Sequence, residues 1–134
     1  MLIYINVYYG CRYIEGQYIE EKVIPVNPLS ESTYLILLAL YQGPLHGYGI
    51  IKEIENTSEG TYIIAPGTLY GVLKNLEKQE LIETVAFEKE KRKKKTYCIT
   101  VQGKGVLHSE YERYIRMINY SKIIIQGRDG KGEK

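Results

Sequence analysis

One stretch limits the folds open to this chain more than any other: Pro66-Gly67-Thr68-Leu69-Tyr70-Gly71-Val72-Leu73-Lys74-Asn75-Leu76-Glu77-Lys78. Proline favours the first turn of a helix, where its missing N–H costs no hydrogen bond. After it, Leu69, Val72, Leu73 and Leu76 recur at helical spacing and make one apolar stripe. The other side carries Gly67, Thr68, Gly71, Lys74, Asn75 and Lys78, which are small, polar or basic, with no acid before Glu77 on the flank. An ordinary surface helix has the same two faces. A helix of this shape also fits the major groove of DNA, where base edges can be read. The flanking segments decide between the two.

With 134 residues the chain can hold one small domain with its own core. Residues 1–28 read as an N-terminal extension or arm: Met1 to Gly10 alternate loosely, and the periodicity then lapses. A rival reading makes this stretch over-translated upstream sequence, with Glu20-Glu21 encoded by a ribosome-binding site and Val23 by a GTG start. Pro25 and Pro28 mark an extended linker.

Residues 29–100 form the predicted DNA-binding domain. Ser30 is the expected N-cap of a helix whose run Tyr34–Leu40 is apolar nearly all round and therefore central. Gln42-Gly43-Pro44 breaks it. A second helix runs from His46-Gly47-Tyr48-Gly49-Ile50 to about Thr57 and ends at Ser58-Glu59-Gly60. Thr61–Ile64 is short and β-prone, which predicts a brief strand before Pro66. Leu81–Phe87 and Thr96–Thr100 alternate as two strands, and Glu88–Lys95 between them makes a strongly basic hairpin tip. The order helix, helix, strand, helix, strand, strand is that of a winged helix-turn-helix, mainly α with a small antiparallel β-hairpin.

Thr100 is the expected N-cap of a C-terminal dimerisation helix over 101–125. There Leu107, Tyr111, Tyr114, Ile118 and Ile125 repeat at three-and-four spacing. A small domain cannot cover so long a stripe, so a second subunit is the natural partner, alongside packing on the chain's own first helix. Residues 126–134 are Gly-rich and charged, a composition that predicts a disordered tail.

The net charge is only +2, so any nucleic-acid role rests on where the charge sits. Two cysteines without metal or disulfide spacing fit a reducing, cytoplasmic setting. The longest apolar run, Leu35–Leu40, is too short for a membrane span. Two separated histidines without clustered acids give no metal site, and no nucleophile–base pattern suggests an enzyme. Gly47-x-Gly49 lacks the third glycine and preceding strand of a dinucleotide motif.

Taken together, these blocks resemble the PadR family of transcriptional regulators. The residues that carry the resemblance are Leu29-Ser30-Glu31, His46-Gly47-Tyr48-Gly49-Ile50, Pro66-Gly67-Thr68-Leu69-Tyr70, Leu76-Glu77 with Leu81-Ile82, and Lys94–Thr100 leading into Gly103-Lys104. The resemblance implies a dimeric winged-helix DNA-binding protein, usually a repressor. It also implies, as in several members, a response to phenolic acids, drugs or other small hydrophobic ligands. The chain has no Trp, so a pocket built on a Trp sandwich does not carry over.

On the reading helix, Thr68, Tyr70, Gly71, Lys74 and Asn75 are the expected DNA contacts. Lys74 suits a guanine edge or a phosphate, and Asn75 suits adenine. The Tyr70 ring is expected to pack and leave its hydroxyl free for a phosphate, while Gly71 lets the backbone come close. Lys91, Arg92, Lys93 and Lys94 are expected on phosphates, with Arg92 entering a minor groove. Such contacts position the protein without specifying sequence. Leu107, Tyr111, Tyr114 and Ile118 are expected to form the dimer core or line a pocket for a small aromatic or hydrophobic effector. No cofactor and no metal are expected. The expected partner is double-stranded DNA carrying a near-palindromic operator, bound by a homodimer. The rival is a winged-helix protein–protein docking module with no DNA target.

Overall fold

The computed structural model describes residues 12–14, 17–19, 28–86 and 95–127. Two short strands, β1 (Arg12–Ile14) and β2 (Gln17–Ile19), pair antiparallel with Tyr13 opposite Tyr18. The rest of the extension, the hairpin tip and the tail from Arg128 lie outside the described residues. The domain that follows comprises α1 (Glu31–Tyr41), β3 (Leu45–His46), α2 (Gly47–Thr57), α3 (Pro66–Lys78), β4 (Ile82–Ala86), β5 (Lys95–Ile99) and α4 (Val101–Lys122). A π-helical turn, Ile123–Gly127, extends α4.

α1 begins where the Ser30 hydroxyl accepts the Thr33 N–H at 3.1 Å, satisfying one orphan donor of the first turn. Its Ile36, Leu37, Ala39 and Leu40 are buried against Ile50 and Ile54 of α2 and Leu69, Leu73 and Leu76 of α3. This is the centre of the core. α2 and α3 end alike. Glu59 (φ 53°) and Glu80 (φ 62°) take the left-handed position after the last turn. The N–H groups of Gly60 and Leu81 then donate back to the Glu55 and Leu76 carbonyls at 2.8 and 2.9 Å. These bonds satisfy carbonyls that a helix end leaves open.

The sheet has the order β3-β5-β4 and is antiparallel throughout, with Ile82 opposite Ile99, Thr84 opposite Tyr97 and Leu45 opposite Tyr97. The strand expected at Thr61–Ile64 does not form. The Ser58 hydroxyl accepts the Tyr62 N–H at 3.0 Å, and the Thr61 N–H donates to the Ser58 carbonyl at 3.0 Å. That turn occupies donors a ladder would need. Leu45–His46, just past Pro44, fills the third place in the sheet, so the order is helix, strand, helix, helix, strand, strand.

Thr100 caps α4 and ties it to the end of α3. Its Oγ1 accepts the Gly103 N–H at 3.0 Å and donates to the Glu80 carbonyl at 2.9 Å. Its own N–H donates to the Leu81 carbonyl at 3.0 Å. Gly103 is the residue this junction requires, because a Cβ there would overlap the Leu81 carbonyl oxygen. α4 then packs on α1, with the Tyr34 and Tyr114 rings edge to face at 4.9 Å.

Candidate nucleic-acid interface

The apolar stripe of α3 places its other face in the open. Leu69, Leu73 and Leu76 are buried, while Gly67, Thr68, Gly71, Lys74, Asn75 and Lys78 are all exposed. A Cβ added at Gly67 or Gly71 would meet nothing within 4 Å, so this face is clear of the rest of the described chain. Glu77, the nearest acid, accepts a hydrogen bond from the Thr84 hydroxyl of β4. Burial first, then the proximity of Glu77 and Tyr70, raises the Tyr97 phenol above its ordinary value, so it stays neutral beside this edge.

Tyr70 is 51% exposed and spans the gap between α3 and the start of α2. Its hydroxyl stands against Gly47, where a Cβ would overlap it. The ring is thus half-exposed, and the hydroxyl packs against the Gly47 backbone. His46 takes the N-cap position of α2 but makes no side-chain cap bond; its ring lies against Gly49.

The hairpin arms are in place, paired from Ile82↔Ile99 to Ala86↔Lys95. Lys91, Arg92, Lys93 and Lys94 belong to the segment that joins their far ends and lie outside the described residues. Two exposed residues of α2, Tyr48 and Lys52, escape the sequence reading of this surface. Their i, i+4 spacing on a polar face was the available signal.

The residues singled out on α4 divide. Leu107 is 3% exposed and belongs to the chain's own core. Tyr111 and Ile118 are exposed, and the open apolar surface continues through Ile115, Met117 and Ile125. Tyr114 is half-buried, with the Arg113 guanidinium 5.1 Å over its ring. Beside it Glu110 is buried and accepts hydrogen bonds from Arg113 at 2.8 and 3.0 Å and from the Leu29 N–H at 3.0 Å. The Arg113 bonds above all hold the Glu110 carboxyl below its ordinary value. His108 meets the Tyr41 hydroxyl at 3.3 Å. An apolar cleft lies away from α4, between α1 and the end of α2, lined by Leu35, Leu38, Ile54 and Tyr62. Among the described residues no cluster of His, Cys, Asp or Glu could hold a metal ion, and no helix is long and apolar enough to cross a membrane.

Comparison with known proteins follows the same outline. A family model described as the transcriptional regulator PadR-like family matches residues 36–109. The chain is 36% identical to the transcriptional regulator YqjI of Escherichia coli (strain K12) over 83 residues, covering 62% of this chain and 39% of that protein. It is 35% identical over 88 residues to an uncharacterized 37.1 kDa protein in transposon TN4556 of Streptomyces fradiae, covering 66% of this chain and 24% of that protein. The chain thus spans well under half the length of these two relatives. Among solved structures, a transcriptional regulator from Clostridium thermocellum superposes with a TM-score of 0.60 at 28% identity, covering 71% of this chain and 89% of that one. Bacillus subtilis PadR in complex with operator DNA superposes with a TM-score of 0.55 at 28% identity, covering 60% and 46%.

Proposed function

The chain belongs to the PadR-like family of transcriptional regulators, and from that premise we propose that it is a cytoplasmic repressor that binds a near-palindromic operator as a homodimer. One observation carries the reading: α3 keeps its small, polar and basic face exposed while its leucines anchor it in the core. A dimer sets two such helices in successive major grooves about one helical turn apart. Thr68, Lys74 and Asn75 then face base edges, and Gly71 lets the backbone approach. Lys91, Arg92, Lys93 and Lys94 of the hairpin tip contact flanking phosphates. The similarity to a PadR solved with operator DNA supports this arrangement.

The exposed Tyr111, Ile115 and Ile118 support the homodimer, because an apolar stripe left in water favours association with a second copy. A small aromatic or hydrophobic effector binds beside Tyr111, Tyr114 and Ile118. It relieves repression only by preferring a dimer whose helix spacing misfits the operator.

The test is selection of bound fragments from the source genome, followed by titration of salt. The two wings of a dimer give roughly 6–8 phosphate contacts, so log affinity falls with log salt at a slope of roughly −5 to −7. Lys74→Ala loses sequence preference. A variant with Lys91, Arg92, Lys93 and Lys94 neutralised loses general affinity and has a flatter slope. A chain that retards no DNA at any salt is a docking module instead.

A further inference from the structure

Tyr48 is 62% exposed on the first turn of α2, and Lys52 stands one turn on along the same face. The Lys52 ammonium lies 5.9 Å over the Tyr48 ring. It does not pair with Glu55, although that acid is only three residues away; among the described residues the one ion pair is Glu110–Arg113. Lys52 is the central residue of the helix, and Glu53, Glu55 and the adjoining Glu59 lie on its C-terminal side. Glu53 is occupied there by the Thr57 hydroxyl at 2.6 Å and the Gln42 amide at 3.0 Å. The N-terminal end is the one that meets α3, through Tyr70 against Gly47. A hydroxyl and an ammonium that pairs with no acid among the described residues thus stand on the helix whose start touches α3.

We propose that Tyr48 and Lys52 form a grip on one backbone phosphate beside the point where α3 enters the groove. The inference rests on the DNA-binding reading above and adds a contact outside α3 and the hairpin tip. The ammonium supplies a point charge to the phosphate diester, and the phenol supplies a neutral donor. The contact is sequence-independent, because phosphates carry no base information. The acids C-terminal to Lys52 are repelled by the same backbone, which favours an approach by the Tyr48 side of the helix. A merely solvated pair would show none of this.

The experiment compares the full chain with Lys52→Gln, Lys52→Arg and Tyr48→Phe. Each is titrated against a genome-selected duplex and a scrambled duplex from 50 to 200 mM salt. Lys52 is exposed and glutamine has similar helix propensity, so folding is retained. Loss of one contact per protomer flattens the log–log salt slope by roughly 1.8. The wild-type-to-variant affinity ratio then shrinks roughly twelvefold across that salt range, equally for both duplexes. Lys52→Arg restores the slope. Tyr48→Phe weakens both duplexes alike without changing it. If Lys52→Gln keeps the wild-type slope, or loses affinity for the selected duplex alone, the grip is refuted while the DNA-binding reading stands. If the wild type shows no salt-sensitive binding to either duplex, the DNA-binding reading itself falls, and the grip with it.

Discussion

Gly71→Ala separates a helix that reads DNA from one that merely covers a core. Gly71 is in the middle of α3, and an added Cβ would meet nothing within 4 Å. The methyl group therefore costs no packing, and the helix gains about 0.8–1 kcal/mol from the better helix former. For a domain of this size that raises Tm by about 4 °C. In the proposed complex the same methyl points at the groove. The major groove is about 12 Å wide and a helix with its side chains is about 10–12 Å across, so there is little slack. Pushed outward, α3 lengthens its contacts at Thr68 and Lys74. Losing one good base contact is worth about 1–3 kcal/mol, and about 1.4 kcal/mol is tenfold in affinity. The variant should melt higher by circular dichroism and bind its operator at least about tenfold more weakly by fluorescence anisotropy. A higher Tm with unchanged affinity would refute close approach of this face to the duplex. A lower Tm would refute the free space around Gly71.

Three further outcomes follow from the packing. Gly103→Ala drives a methyl into the Leu81 carbonyl that Thr100 bonds, so overpacking of about 1–3 kcal/mol outweighs a helix gain of at most about 1 kcal/mol, and the urea midpoint falls. The folded pKa of Glu110 is depressed, chiefly by its hydrogen bonds to Arg113. Its contribution to stability is present above the unfolded value of about 4.3 and fades as pH falls through the lower folded value. Glu110→Gln should remove that acid limb, and a constant difference from wild type in urea unfolding between pH 7 and pH 3 would refute it. Ile118→Asp puts a charge on a side chain that is 53% exposed in the single chain, so sedimentation velocity should show a folded monomer with Tm little changed at the domain core.

What could be read from the sequence follows from how locally each element is specified. Pro66–Lys78 is legible because its start signal and its leucine stripe lie within the helix itself. Ser30 and Thr100 are legible as caps because a cap bond spans only three residues. Thr61–Ile64 misleads because β-branched residues favour a strand only where a partner edge waits, and Ile63 is 69% exposed beside a turn held by Ser58. The edge of β5 goes instead to Leu45–His46, a pair too short to show any period. Leu107 falls on the same sequence stripe as Ile118, but only the three-dimensional length of the domain reveals that α1 covers the first and leaves the second bare.

The joint between α3 and α4 bears on how such a protein could be switched. Leu81 closes α3 by donating to Leu76, and its carbonyl accepts the Thr100 N–H. The Thr100 hydroxyl meanwhile donates to Glu80 and caps α4 at Gly103. Gly103 lets α4 approach so closely that no side chain separates the two ends. The end of one helix and the start of the other thus share one hydrogen-bonded knot. In the proposed dimer, the crossing of the two α4 helices fixes the distance between the two α3 helices. Any ligand that changes this crossing must move α3 as well, because the knot leaves no slack to absorb the rotation. Half-sites about one turn apart tolerate little change in that spacing. Differential binding to two dimer geometries would then suffice for regulation, with no change in any residue that touches DNA.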